Sequence, residues 1–348
     1  MALFEISLDY LTQTLVDLLN TPSPTGDTEY AISFIEGELI GMGVATERTR
    51  KGALLAHFDG LRSDKPRALT AHVDTLGAIV AEIKSNGRLR LAPLGGLNWP
   101  AVESEGLTIA TRNGQQVRGS LVLINGATHV NRDASTSPRN ADTMEVRVDG
   151  RTTRAEETRL LGVEVGDFVY FDPRVEQSEA GFIRSRFLDD KACVACALAA
   201  IKALTEAQVT PAQRTTFLFS NYEEVGHGGI DGLPTDLAEF VVLDMGCIGS
   251  GLQGSEFHCS ICVKDGGGPY SKNLSDRLRT LANRRGIDLK ADVYPFYSSD
   301  GTVYWRGGGK AEVALIGPGI DTSHGYERTH VDSLRDTAQL VAEYLVEE

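Results

Sequence analysis

Histidines and carboxylates recur in this 348-residue sequence directly after short apolar runs. His72 and Asp74 follow Arg67–Ala71. Asp189 and Asp190 follow Phe182–Phe187, Glu223 and Glu224 follow Thr215–Phe219, and Asp244 follows Phe240–Leu243. His324 comes after Glu312–Ile316 and a Gly317-Pro318-Gly319 turn signal. In open α/β sheets, sites form beyond the carboxyl ends of the strands. Read as strands, these runs deliver two histidines and six carboxylates to one edge of one sheet. So many carboxylates share a cleft only when cations neutralise them. Imidazole and carboxylate without thiolate suits Zn, Co or Mn, and argues against Ca or Mg alone. The donors exceed what one tetrahedral ion needs. Two ions ~3.5–4 Å apart, sharing a bridging carboxylate, would use them. The adjacent Glu223 and Glu224 then divide the work: one ligates, and its neighbour takes a proton from the attacking water. Taken singly, each motif is an ordinary cap, turn or surface pair; order and shared placement set the group apart.

The elements that must position these residues fall into two textures. Apolar residues at Leu8, Leu11, Leu15, Leu18 and Leu19 have helical spacing, broken by Pro22 and Pro24. A second helix is predicted from Asp27 to Leu39, stopped by Gly41 and Gly43, then strands at Leu54–Phe58 and Arg67–Ala71. After Gly77 the pattern turns to β. Asn86-Gly87 and Asn113-Gly114 each sit between apolar runs, the strongest short hairpin signal. Helical periodicity is confined there to Arg154–Leu161, and Thr128–Asp142 reads as a mobile loop. The α/β texture returns at Phe182, with helices over Lys191–Leu204, Ser275–Arg285 and Asp332–Tyr344. This predicts a catalytic α/β domain over 1–76 and 177–348 with an all-β module inserted at 77–176.

Thirty-four basic against 48 acidic residues give a net charge of −14. That balance offers no field for nucleic acid or an anionic membrane. No apolar run reaches the ~18–20 residues of a membrane span. The first ten residues lack the marks of a signal peptide. Five cysteines, an odd number, argue against a disulfide framework, so a cytoplasmic setting is expected. Cys193/Cys196 and Cys259/Cys262 read as small core residues rather than as a zinc ribbon.

Five motifs, in order, make the sequence recognisable. Ala71-His72-Val73-Asp74-Thr75-Leu76-Gly77, Leu188-Asp189-Asp190-Lys191, Glu223-Glu224-Val225-Gly226, Leu243-Asp244 and Ser323-His324-Gly325-Tyr326-Glu327 resemble the di-metal aminopeptidases of the glutamyl-aminopeptidase and cellulase-M family. The best-known members are tetrahedral, self-compartmentalised enzymes, and the resemblance covers essentially the whole chain. It implies a central mixed sheet flanked by helices, of the zinc-peptidase type, with a small barrel-like domain serving assembly and access. It implies His72 and Asp244 on one metal, Glu224 and His324 on the other, and Asp189 bridging. Glu223 becomes the general base, and Asp74 orients His72. It also implies two divalent ions, Zn favoured over Co or Mn, a short peptide substrate, and a dimer-based homo-oligomer, up to a dodecamer. Tyr297-Ser298-Ser299-Asp300 falls where the family lines its substrate pocket, which makes Asp300 a substrate-binding candidate, with a turn as the alternative reading.

The sequence departs from the family at Thr75, where Glu is usual, and at Lys191, where Arg is usual. The last histidine is usually followed by Ser or Thr and Pro, not by Gly325 and Tyr326. His330 competes with His324 as final ligand; the neighbouring Glu327 favours His324. The Ser323–His330 run looks most like a subgroup linked to the N-acetylglutaminylglutamine amide osmoprotectant system. An aminopeptidase is therefore expected. The alternative is an amidase or deacylase acting on an N-acylated dipeptide or its amide; a glycosidase and a non-catalytic scaffold are more distant rivals.

Overall fold

The computed structural model describes residues 4–348, which divide into two compact units. One comprises residues up to Asp74 together with Val175–Glu348; the other is Thr75–Arg174.

The larger unit begins with helices α1 (Leu8–Asn20) and α2 (Glu29–Gly41). Ser7 caps α1 by accepting from the Tyr10 amide, and Leu11, Leu15, Leu18 and Leu19 form its buried stripe. Strands β1 (Ala45–Arg48), β2 (Leu54–Phe58) and β3 (Arg62–His72) follow.

The smaller unit is a closed barrel of β4 (Gly77–Ile83), β5 (Leu89–Leu94), β6 (Gly106–Ala110), β7 (Gln116–Leu123), β8 (Met144–Val148) and β9 (Phe168–Phe171), in the order β4-β5-β8-β7-β6-β9. Alternate residues such as Leu107, Ile109, Leu121, Val146 and Val169 fill its interior. Gly87 and Gly114 turn its hairpins at φ of 80° and 82°, a conformation glycine adopts without strain. The Thr128–Asp142 segment, expected to be mobile, carries a helical turn at Arg132–Ser135, and Arg139 forks onto both oxygens of Glu103 at 2.8 and 2.9 Å.

Beyond the barrel the larger unit resumes. Its strands are β10 (Glu176–Gln177), β11 (Phe182–Ser185), β12 (Gln213–Ser220), β13 (Glu239–Leu243), β14 (Gly246–Cys247), β15 (Cys259–Asp265), β16 (Gly268–Pro269), β17 (Leu289–Val293), β18 (Glu312–Ile320) and β19 (Glu327–His330). The central sheet runs β1-β2-β12-β3-β13-β18-β15-β16, with β14 beside β18 and β17 beside β15. Strands β12, β3, β13 and β18 are mutually parallel, so their carboxyl ends share one edge. Side chains alternate between two cores. Val241, Leu243, Ala314 and Ile316 face the larger one, and Phe240, Val242, Val313 and Leu315 the smaller.

The larger core is covered by the helix of Leu188–Glu206, which packs against α1, the closing helix of Val331–Val346, and β3. It is buried almost all round, which its run of Ala, Val and Cys permits. Cys193, Cys196, Cys259 and Cys262 are all free and buried. A short helix, Asp300–Arg306, covers the smaller core.

Two expectations need correction. Asp189 does not leave a strand of the central sheet, because β11 belongs to a separate three-stranded sheet, β10-β11-β19. It reaches the site instead in the non-helical backbone of Asp189 and Asp190, just ahead of the helical run that continues to Glu206. Gly317-Pro318-Gly319 is not a turn but part of β18. Its glycines are demanded by close backbone approach: a Cβ at Gly317 would lie 1.9 Å from the Asp244 carbonyl oxygen, and one at Gly319 2.0 Å from that of Ser255. Among the described residues, no helix is long and apolar enough to cross a membrane.

Candidate active site

The parallel strand ends set out most of the site. His72 is the last residue of β3, and Asp74 lies two residues beyond. Ser220 ends β12, and the helical turn Glu223–Val225 follows. Asp244 directly follows β13. His324 sits in the short connection between β18 and β19.

Asp189 stands between the two imidazoles. Its Oδ1 lies 3.2 Å from His72 Nε2, and its Oδ2 lies 3.6 Å from His324 Nε2. Glu224 Oε2 is also 3.6 Å from His324 Nε2, and Glu223 Oε2 is 3.8 Å from His72 Nε2. Ligand atoms of His72, Asp189 and Glu224 fall within 4.8 Å of one another, as do those of His72, Asp190 and Asp244. The structure thus brings together His72, Asp189, Glu223, Glu224, Asp244 and His324, and adds Asp190. The Asp190 Oδ2 accepts from the His72 main-chain N–H at 3.2 Å.

Asp74 is a framework carboxylate. Its oxygens accept from Thr25 Oγ1 at 2.7 Å and from the Glu223 and Glu224 amides at 3.1 and 3.3 Å. Its carbonyl lies 2.9 Å from His72 Nδ1, which leaves Nε2 facing Asp189. His330 is held elsewhere. Its Nδ1 accepts from the Asp332 amide, and its Nε2 lies 2.8 Å from the Ala180 carbonyl. Asp300 is buried, and its carboxylate accepts from Ser220 Oγ and Thr70 Oγ1. It therefore lies behind the cleft wall, while the adjoining segment Val293–Ser298 lines the cleft.

Glu327 was not singled out from the sequence as a site residue. It accepts from the Asp189 amide at 3.1 Å and from the His324 amide at 2.9 Å, tying two remote segments together. Thr322 and His324 both have φ of 60°, a costly conformation for such residues that this contact helps to hold. Only the nearness of a glutamate to His324 hinted at this.

Burial and crowding dominate the electrostatics. Burial raises Glu223, Glu224 and Asp190 well above the ordinary carboxylate range, and nearby carboxylates add to each shift. Burial, then Asp189, pushes Asp244 up to about 7. Burial opposes charge on His72, but its contacts with Asp189 and Asp74 outweigh that and raise it. Asp189 is lowered: burial works against it, and the two histidines prevail. Lys191 does not relieve the crowding, because its Nζ donates to the Leu18 and Thr21 carbonyls. The donor chemistry and the excess of buried carboxylate fit divalent cations.

Residues 52–340 match the M42 glutamyl aminopeptidase family. The chain belongs to that family. It is accordingly a peptide-bond hydrolase. YhfE of Bacillus subtilis (strain 168) is 44% identical over 333 residues, covering 96% of each chain. The lysyl aminopeptidase of Pyrococcus furiosus is 26% identical over 156 residues, 44% of this chain and 43% of its own. Among solved structures, the Pyrococcus horikoshii TET1 peptidase, described as assembling into a tetrahedron or a large octahedral shell, superposes with a TM-score of 0.81. Its sequence identity is 19%, and the match covers 97% of this chain and all of that one.

The pKa shifts of this M42 protein predict how its metal-free form responds to pH. Asp244, at about 7, and Asp300, raised by burial to about 6, keep protons in the folded state that the unfolded chain has lost. The folded state therefore binds more protons from roughly pH 4 to 7, and stability falls as pH rises through that window. His72, raised in the fold, acts in the same direction. Asp189, lowered, acts oppositely, but only as pH falls below roughly 4. Chelated protein should melt at a lower temperature at pH 8 than at pH 5.5 by differential scanning fluorimetry, and saturating Zn should shrink the difference. A melting temperature that rises over that range without metal contradicts the assignment.

Proposed function

We propose that the chain is a di-metal aminopeptidase in which Asp189 bridges two divalent ions. The observation that carries this reading is the position of Asp189, with one carboxylate oxygen toward His72 and the other toward His324. His72 and Asp244 would hold one ion, and Glu224 and His324 the other. Asp190, behind His72, braces its main chain. Imidazole and carboxylate donors favour Zn, with Co and Mn as alternatives. When bound, the ions supply Lewis acidity toward the scissile carbonyl and a lowered pKa for the attacking water.

The remaining chemistry belongs to the protein. Glu223 takes the proton of the attacking water and returns it to the leaving amine. Burial raises its proton affinity above that of an ordinary carboxylate. Asp74 sets the geometry by holding the amides of both Glu223 and Glu224 and, through its carbonyl, the His72 ring. A narrower placement, in the subgroup linked to the N-acetylglutaminylglutamine amide system, rests on the Ser323–His330 run. We also propose a cytoplasmic homo-oligomer, built from dimers up to a dodecamer, with the barrel unit serving assembly and access. The tetrahedral assembly described for the Pyrococcus horikoshii peptidase supports this.

The adjacent glutamates separate the roles. Glu223→Gln should keep both metals and near-native stability while losing ~10²–10⁴-fold in kcat. Glu224→Gln should lose or weaken one metal, because an amide oxygen is the poorer ligand. Metal analysis with assays on free-amine and N-acetylated substrates reads both effects. Metal loss in the Glu223 variant alone reverses the assignment, and hydrolysis of blocked substrates alone shifts the reading to an amidase.

Assembly is checked by sedimentation of the metal-loaded protein at micromolar concentration. A species larger than the monomer is expected, and monomer alone contradicts the oligomer.

A further inference from the structure

The cleft that holds the metal-site residues has a second set of lining residues with a different character. It encloses about 560 Å³. Its lining combines the carboxylates and His324 with a second group, Met245, Leu252, Val293, Tyr294, Phe296 and Tyr297. Every charged residue lining the cleft belongs to the cluster; the rest of the lining is uncharged. Phe296 is 101% exposed and Val293 44% exposed, so the rim presents apolar surface to water. The wall is fixed to the metal-site residues. Tyr297 OH donates to the Met245 carbonyl at 3.1 Å, one residue beyond Asp244, and the Tyr294 and Tyr297 rings lie 5.4 Å apart.

We propose that this wall selects substrates whose N-terminal residue carries an apolar side chain, such as leucine or phenylalanine, over acidic or basic ones. The proposal rests on the aminopeptidase reading, because it needs the scissile carbonyl at the metal site. A glutamyl side chain packed among these apolar residues would bury a carboxylate with no cation in the lining to meet it. A lysyl side chain would meet only carboxylates already assigned to the metals. An apolar side chain loses nothing on desolvation, and it covers the exposed face of Phe296. Charge complementarity of the sort needed for glutamyl or lysyl selectivity is missing from this lining. The family description and the lysyl relative therefore do not fix the preference of this chain.

The test compares leucyl, phenylalanyl, glutamyl and lysyl p-nitroanilides on the metal-loaded protein and its variants. Leucyl and phenylalanyl substrates should lead in kcat/KM by ~10²-fold or more. Phe296→Ala should raise KM for them several-fold with little change in kcat, and its melting temperature should stay unchanged because the ring touches solvent alone. Leu252→Arg should raise kcat/KM for the glutamyl substrate at least about tenfold by supplying the missing cation. A glutamyl or lysyl preference in the wild type overturns the proposal, as does an unchanged KM in Phe296→Ala. Calorimetry on metal-loaded Glu223→Gln with free leucine, phenylalanine, glutamate and lysine reads the wall without turnover. Tighter binding of the apolar amino acids supports the wall even if no aminoacyl substrate is cleaved, in which case the aminopeptidase reading alone fails. Equal or tighter binding of glutamate or lysine overturns the wall itself.

Discussion

Buried negative charge governs this architecture. Asp189, Glu223, Glu224 and Asp244 converge in one cleft with Asp190 buried behind them, and two imidazoles face the group. Without cations the group resolves its repulsion by holding protons, and the raised pKa values of Asp190, Glu223, Glu224 and Asp244 express this. Asp189 is the exception. Held between two histidines, its carboxyl is pulled below the ordinary carboxylate range. A carboxylate set between two imidazoles and crowded by other carboxylates suits a bridge between cations better than a fold stabilised by its own ion pairs.

Such crowding needs a rigid surround. The parallel strands supply part of it, with the amide-to-carbonyl ladder fixing His72, Ser220 and Leu243 at one edge. Two carboxylates outside the cluster supply the rest. Asp74 gathers the amides of the Glu223–Glu224 turn, and Glu327 gathers those of Asp189 and His324. Each holds these site residues by their main chain, so the side chains of Glu223, Glu224, Asp189 and His324 keep their lone pairs for ligands. Close backbone packing at Gly317 against Asp244 completes the frame.

The sequence made the parallel part of this frame legible. Phe240–Leu243 is apolar on both faces, as a strand buried between two cores must be, and Phe217 to Phe219 likewise face the larger core and a smaller cluster. The polar residue that ends such a run must then emerge at the sheet edge. Asn86-Gly87 and Asn113-Gly114 were readable for the same local reason, since a tight hairpin demands φ > 0. What the sequence hid was long-range. Asp189 arrives in the extended backbone that leads into a helix, after a strand of another sheet, which no local pattern distinguishes. Gly317 and Gly319 look like a turn and are straight, because their glycines answer to neighbours far along the chain. Asp300 carries the chemistry of a substrate ligand, but burial turns it to Ser220 and Thr70. The wall from Val293 to Tyr297 is a loop of ordinary apolar residues, and only the cleft shape assigns it to the site.

The central claim is that Asp189 joins two cation sites in each chain. Its most direct test is the number of ions bound. The protein is stripped with a chelator, loaded with Zn and freed of excess, and metal is then quantified by mass spectrometry against protein concentration. The account predicts two ions per chain, with both lost from Asp189→Ala. A wild type that holds one ion or none, or an Asp189→Ala variant that keeps two, would contradict it.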